Sequence, residues 1–469
     1  MVKMVLASLV LIVAVWSTPA RAAAGSSYLV EAATGGSLPA DLAARVQAAG
    51  GRLVRTQDEI GLAQAESDDP GFAARLAATP GIRAVVRDEI VQWVPSPRDA
   101  VRARISLPQA AASPRPGSNV APLQGDAKTA PNPQGASLYA CQWNMTQIDA
   151  PGAWAQGAFG SPDVKVAILD TGIDYDHVEL AGKVDMKESK NLLTPGNSPC
   201  GSEDDTGFYD FDFHGTFCAS LITGNSLGVA ALAPRSCVVA VKVLNCFGEG
   251  SYGDVIAGIH YAAGLPDVNV LSISLGWYLP KAGNDTVIEA FDHVVEYARA
   301  KGKLVVVAAG NKSAELGPAN PDISIPAQSI GAISITATTI AQQLASYSNY
   351  GLFNWLAAPG GDLDNTLPAL PGCALPAAYQ GLIYGACAKA YCGDDVEYLE
   401  SDGTSFAAPL VAGAAALVES TGRCQLGAEL TKDLLALTAD TIGPREFFGN
   451  GRLQVSRAVR AAQALPPCP

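Results

Sequence analysis

From Leu410 to Val418 the chain carries only Leu, Val, Ala and Gly. Ala and Leu favour a helix, and this one has no polar face, so it must be hidden on all sides. The rest of the fold has to be arranged around it. Gly403-Thr404-Ser405-Phe406-Ala407-Ala408-Pro409 leads into the run. Thr404 is expected as the N-cap, and Pro409 falls early enough to be tolerated. Ser405 then lies at the start of a buried helix, near unpaired backbone N–H groups and the positive end of the dipole. That setting suits a nucleophile whose reaction creates an oxyanion. It suits equally a serine that only caps a core helix.

A nucleophilic serine needs a base, and the base needs an orienting group. The chain has four histidines: His177, His214, His260 and His293. His214 stands in His214-Gly215-Thr216, after a polar loop and before the apolar stretch from Cys218 to Ile222. Asp170 ends the run Val164 to Leu169 and precedes Thr171-Gly172. A carboxylate at the carboxyl end of a buried parallel strand is where open α/β sheets keep their sites. A turn-forming Asp is the plainer reading of the same position.

Taken together, the stretches Val166 to Asp174, His214 to Thr216 and Gly403 to Pro409 resemble the subtilisin-like serine proteases, in the family's order Asp170, His214, Ser405. The resemblance implies a three-layer α/β/α domain with a mainly parallel sheet and a serine endopeptidase. It also implies roles. Ser405 is the nucleophile, His214 the base and Asp170 its orienter. Asn311, closing Ala308-Ala309-Gly310-Asn311, is the oxyanion donor. Gly248, Glu249 and Gly250 resemble one wall of the substrate cleft, and Ser274, Leu275 and Gly276 the other. Both walls would pair with an extended substrate backbone. Ala308, Ala309 and Gly310 complete the pocket for the residue before the cut, with Ala327 toward its floor. Trp277 departs from the small residue many relatives carry there. Lys312, at the rim, would repel Lys and Arg, so apolar residues are expected before the cut. Two rivals stand beside this reading: a processing protease dedicated to one partner, and an inactive peptide-binding scaffold.

The chain has 469 residues, 48% of them apolar, and a net charge of −14. No basic patch stands out, which disfavours nucleic acid and anionic membranes as partners. Met1-Val2-Lys3, the apolar stretch from Met4 to Trp16, and Ala20-Arg21-Ala22 read as a secretory signal over 1–22, with no membrane anchor once it is removed. Extracellular or periplasmic delivery follows. The ten cysteines fit an oxidising compartment.

Residues 27–95 alternate strand and helix patterns in β-α-β-β-α-β order, a small ferredoxin-like α+β unit. Beside a subtilisin-like domain, this unit resembles the family's propeptide, an intramolecular inhibitor whose tail lies in the active site. Residues 96–138, rich in Pro, Ala, Ser and Gly, read as a mobile linker. The peptidase domain is expected over 139–465, acting as a monomer on protein or peptide substrates. An insert holding Cys373, Cys387 and Cys392 breaks the family pattern between Gly360 and Tyr398.

No cofactor is required by this chemistry. The family resemblance does allow a structural calcium near Glu179, with the loop Asn225 to Val229 as a shortened calcium loop. Glu203, Asp204, Asp205, Asp210 and Asp212 could together bind a cation, but a solvated acidic loop is the expected reading. By resemblance, too, Cys218 stays a free thiol one helical turn after His214, and Cys200 bridges Cys246.

Overall fold

The computed structural model describes residues 26–33, 37–96, 103–105, 132–196, 198–201, 207–363, 369–393, 398–423 and 426–467. The expected signal, residues 1–22, lies outside them. A small unit comes first. It runs β1 (Ser26–Ala32), α1 (Leu42–Ala48), β2 (Arg52–Gln57), β3 (Leu62–Ser67), α2 (Phe72–Ala77) and β4 (Ile82–Arg87), with a short β5 (Ile90–Gln92) after it. Its sheet is antiparallel in the order β2-β3-β1-β4, the ferredoxin-like arrangement. Period-two alternation decides what each face meets. Val30, Ala63 and Ala65 pack on Leu42, Val46, Phe72 and Leu76 of the unit's own helices. Leu29 and Leu62, on the other face, join a core of the main body.

Next comes β6 (Ala103–Ile105), inside the stretch expected to be linker. This is a correction: three of those residues are an edge strand, for a reason taken up below.

The main body continues through β7 (Lys165–Asp170), β8 (Lys190–Asn191), α3 (His214–Ile222), β9 (Cys237–Lys242), β10 (Glu249–Ser251) and α4 (Tyr252–Gly264). Then follow β11 (Val268–Ile273), β12 (Trp277–Pro280), α5 (Asp285–Ala300), β13 (Leu304–Ala308), β14 (Asp322–Ile325), β15 (Ile333–Thr338) and β16 (Asn354–Pro359). β17 (Ile383–Ala386), β18 (Tyr398–Ser401), α6 (Thr404–Glu419), α7 (Ala428–Leu437) and α8 (Val455–Gln463) complete it.

Seven strands form one sheet in the order β16-β15-β13-β11-β7-β9-β8, with every pairing parallel. Both faces are covered, which is why the strands read as continuous apolar runs. Val166, Ile168, Val238, Ala240 and Val306 face the layer of α3, α6, α7 and α8. Their neighbours Ala167, Leu169, Val239, Val241 and Val305 face α4 and α5. The result is the expected three-layer α/β/α domain. Every residue of α6 from Thr404 to Val418 is buried. Each fully buried Leu or Val there contributes roughly 1.5–3 kcal/mol.

The insert contributes β17 and β18, which pair antiparallel and carry β6 as a third strand. Disulfides join Cys141 to Cys373, Cys200 to Cys246, and Cys387 to Cys392. Cys218 and Cys237 are free thiols; Cys424 and Cys468 lie outside the described residues. No described helix is long and apolar enough to cross a membrane.

Candidate active site

Parallel strands deliver the site at their carboxyl ends. Asp170 is the last residue of β7, and His214 opens α3. The His214 Nδ1 lies 2.8 Å from Asp170 Oδ1 and 3.0 Å from Oδ2, with both side chains buried. Burial works against the imidazolium, but the Asp170 carboxylate outweighs it and holds the pKa well above the ordinary imidazole value. Ser405 is the second residue of α6, so its backbone N–H has no acceptor within the helix. Its hydroxyl donates to the Ser274 carbonyl at 2.9 Å, while His214 Nε2 has no partner among the described residues. The Ser405–His214 hydrogen bond is therefore not made in this state.

Thr404 does not act as the expected N-cap. Its hydroxyl donates to Asn311 Oδ1 at 2.7 Å and its backbone N–H does so at 3.0 Å. The same hydroxyl accepts from Gly310 N–H at 3.1 Å. With Oδ1 held by two donors, the amide N–H₂ is the group Asn311 has left to offer to the cavity it lines. Asn349 braces the same loop, accepting from Lys312 N–H and donating to the Ala309 carbonyl. Gly310 has φ +99°, and a Cβ there would meet Asn349 Nδ2 at 2.5 Å, so only glycine fits.

A cavity of about 420 Å³ lies between these groups. Ser274, Leu275, Gly276, Ala308, Gly310, Asn311, Lys312 and Ser405 line it, as the sequence led us to expect. Ala309 does not. Its carbonyl is taken by Asn349 and by the Ser324 hydroxyl, which fixes that peptide behind the wall. Ala327 belongs to the core rather than to the cavity floor. Ser324, Asn349 and Tyr278 line the cavity without having been assigned to it, and Trp277, noted as a departure at the cleft, lines it as well. Trp277 and Tyr278 are brought in because β12 pairs with β14, and no local motif announces that pairing.

The chain's own N-terminal unit fills the upstream cleft. β5 pairs antiparallel with β10, setting Gln92 against Glu249, Val91 against Gly250 and Ile90 against Ser251. Trp93 N–H donates to the Gly248 carbonyl, and Gly276 N–H donates to the Trp93 carbonyl at 3.2 Å. Both expected walls thus hold one extended backbone. The approach is close: a Cβ on Gly248 would meet Val94 Cγ2 at 2.4 Å. The Trp93 indole donates to the Gly250 carbonyl and packs against Tyr252 and Phe291. Gln92 to Ser96 line the same cavity as Ser405.

The model of the subtilase family matches residues 161–451. The chain is 32% identical to thermitase from Thermoactinomyces vulgaris over 329 residues, 68% of this chain and 96% of that protein. It is likewise 32% identical to a subtilisin from Bacillus pumilus, over 68% of this chain and 98% of that one. The chain belongs to the subtilase family. It is a serine-type endopeptidase. In fold, the subtilase also matches a solved epidermin leader peptide processing serine protease from Staphylococcus aureus. The TM-score is 0.72 at 21% identity, over 94% of this chain and 100% of that one.

Calcium does not fit the position the family resemblance suggested in this subtilase. Glu179 is fully buried, and its Oε1 accepts from Leu227, Gly228 and Val229 N–H groups and from the Tyr398 hydroxyl. Backbone N–H groups repel a cation, so this loop is closed by a carboxylate instead. His177 is structural, with Nδ1 accepting from Glu179 N–H.

Asp210 and Asp212 are not solvated. Asp210 accepts from Thr171 and Thr216 hydroxyls, and Asp212 from Phe213 and His214 N–H groups. Burial, then the neighbouring Asp210 charge, pushes Asp212 up to about 8. Glu203, Asp204 and Asp205 lie outside the described residues.

Proposed function

We propose that this subtilase is a secreted endopeptidase of broad specificity, made as a precursor inhibited by its own residues 27–95. Ser405 attacks the peptide carbonyl, and His214 takes the proton and returns it to the leaving amine. Asp170 holds the imidazole; Asn311 Nδ2 and the Ser405 N–H receive the oxyanion. One observation carries the reading: residues 92–96 run through the cleft and share the cavity with Ser405 and Asn311. The recognition seen there is between backbones, which tolerates many sequences. Export is supported by the signal-like first 22 residues and by three disulfides, which persist in oxidising compartments.

Leu275, Gly276, Ala308 and Gly310 give the pocket small apolar walls, with the exposed Lys312 at its rim. Leu, Phe, Tyr and Met are therefore expected before the cut, with Lys and Arg disfavoured. The test is a peptide-library profile of the processed enzyme beside Lys312→Glu, which should improve cleavage after basic residues, most visibly at low salt. A wild-type profile dominated by Arg or Lys would falsify the pocket reading. Failure to digest an unrelated denatured protein would point instead to a dedicated processing role, of the kind named for the Staphylococcus protein.

A further inference from the structure

The chain is held on both sides of the active centre. The upstream hold is β5 on β10 together with the buried Trp93, already described. The second is β6. It pairs antiparallel with β18, setting Ile105 against Tyr398, Arg104 against Leu399 and Ala103 against Glu400. Ile105 is 8% exposed and packs with Leu138, Cys141, Val229, Tyr384 and Tyr398. The Arg104 guanidinium sits 4.8 Å from the centre of the Tyr391 ring. Tyr391 in turn lies 5.6 Å from Phe213, whose ring is 6.1 Å from that of His214. This run of rings links β6 to the His214 side of the centre.

The receiving edge is built rigidly. Tyr398, on β18, donates to the buried Glu179 carboxylate and packs edge-on against His177. Gly228 leaves room for it, since a Cβ there would meet the Tyr398 ring at 2.1 Å. Cys141–Cys373 and Cys387–Cys392 fix the ends of the insert around it. A bare β18 would present unpaired N–H and C=O groups beside an apolar cluster, which is a site for strand addition.

We propose that the β18 edge is a docking strand for the enzyme's own chain on the leaving-group side of the active centre. It holds residues 103–105 while the chain is cut upstream of them, and it keeps them afterwards as the edge strand of the mature enzyme. This rests on the reading of residues 27–95 as a self-removed propeptide. It adds that the new N-terminus stays beside the active centre because β6 remains paired.

The test has two arms. In the first, purified full-length protein processes itself, and the product is read by intact mass and N-terminal sequencing. A terminus upstream of Ala103 is expected. A mature terminus beyond Ile105 overturns the docking proposal while leaving self-processing intact. In the second arm, Ser405→Ala protein, which cannot cut itself, is compared with Ser405→Ala/Ile105→Asp and the milder Ser405→Ala/Ile105→Ala by hydrogen exchange. Losing the Ile105 anchor should speed exchange at residues 398–401 roughly tenfold or more, with the alanine variant intermediate. Unchanged protection in both variants overturns the proposal. This arm needs no cleavage, so a wild-type chain that fails to process removes the propeptide reading and leaves the docking edge still decided by exchange.

Discussion

Thr404 shows how one hydroxyl can serve two neighbours. It donates to Asn311 Oδ1 and accepts from Gly310 N–H, so the carboxamide expected to receive the oxyanion is aimed by the residue beside the nucleophile. Thr404→Val keeps the shape and removes both bonds. A net hydrogen bond of about 1–1.5 kcal/mol corresponds to a kcat roughly tenfold lower, with KM little changed. Removing the donor itself in subtilisin costs about 10²–10³ in kcat, which sets the ceiling. Steady-state kinetics decide it: Thr404→Val with full kcat would mean that Asn311 is aimed by something else, and Thr404→Ser should retain activity. Cys218 has a comparable task. Pro409 has no N–H to give the Ser405 carbonyl four residues back, and the Cys218 thiol donates to that oxygen at 3.4 Å. Burial pushes this thiol's pKa up, so it stays neutral under His214.

At the scale of elements, the contact between the N-terminal sheet and α4 carries a titratable group. Asp88 accepts from Gly253 N–H, in the first turn of α4, and from Gln64 and Ser27. Arg55 bridges to Asp254 in the same turn. Burial, then the nearby Asp254 charge, pushes Asp88 up to about 6. A carboxyl whose pKa rises on docking favours the docked state when protonated. Its contribution is full below pH 4 and is lost as pH rises from about 4 through 6. A shift of two units corresponds to about a hundredfold between pH below 4 and pH well above 6, of which about tenfold at most remains between pH 5 and pH 7.5. On the proposed reading, the removed unit should therefore leave the enzyme more readily at pH 7.5 than at pH 5, and Asp88→Asn should abolish that difference. Size-exclusion chromatography of the freshly processed complex at both pH values separates free from bound enzyme and measures the open fraction. Equal fractions in the wild type would rule the effect out.

Across the whole molecule, the disulfides differ in reach. Cys141–Cys373 spans 232 residues of chain, joining the entry of the main body to the insert, whereas Cys387–Cys392 spans five. A long closed loop restricts the unfolded chain far more, by about 5.5 kcal/mol on the chain-entropy relation for the first bridge against about 2 kcal/mol for the second. In the Ser405→Ala background, Cys141→Ala/Cys373→Ala should lower the urea midpoint clearly more than Cys387→Ala/Cys392→Ala does. Equal losses would show that native packing, rather than loop length, governs both bridges. The first bridge also steadies the β17–β18 platform, because Cys141 packs in the cluster that contains Tyr384 and Tyr398.

What the sequence determined by itself was whatever is written within a few residues. The all-apolar helix had to be enclosed, and α6 is. The β-branched runs ending at Asp170 and Asn311 had to be buried parallel strands, and their ends converge on Ser405. The two-period pattern of residues 27–95 was enough for a ferredoxin-like unit. The partners of the buried polar groups, by contrast, came from the folded arrangement alone. Thr404 reads locally as a cap, yet it is turned to Asn311. Ala309 reads as pocket wall, yet its carbonyl is claimed by Ser324 and Asn349. Glu179 reads as a cation ligand, yet three N–H groups and a tyrosine from the insert surround it. Asp210 and Asp212 read as solvated, yet they lie beneath the active centre. Residues 103–105 read as linker until β18 supplies an edge. Apart from Asp212, which is held by the N–H groups of its chain neighbours Phe213 and His214, each outcome turns on a hydrogen bond to a group more than ten residues away. A buried donor or acceptor must find some partner, but the neighbouring sequence does not say which.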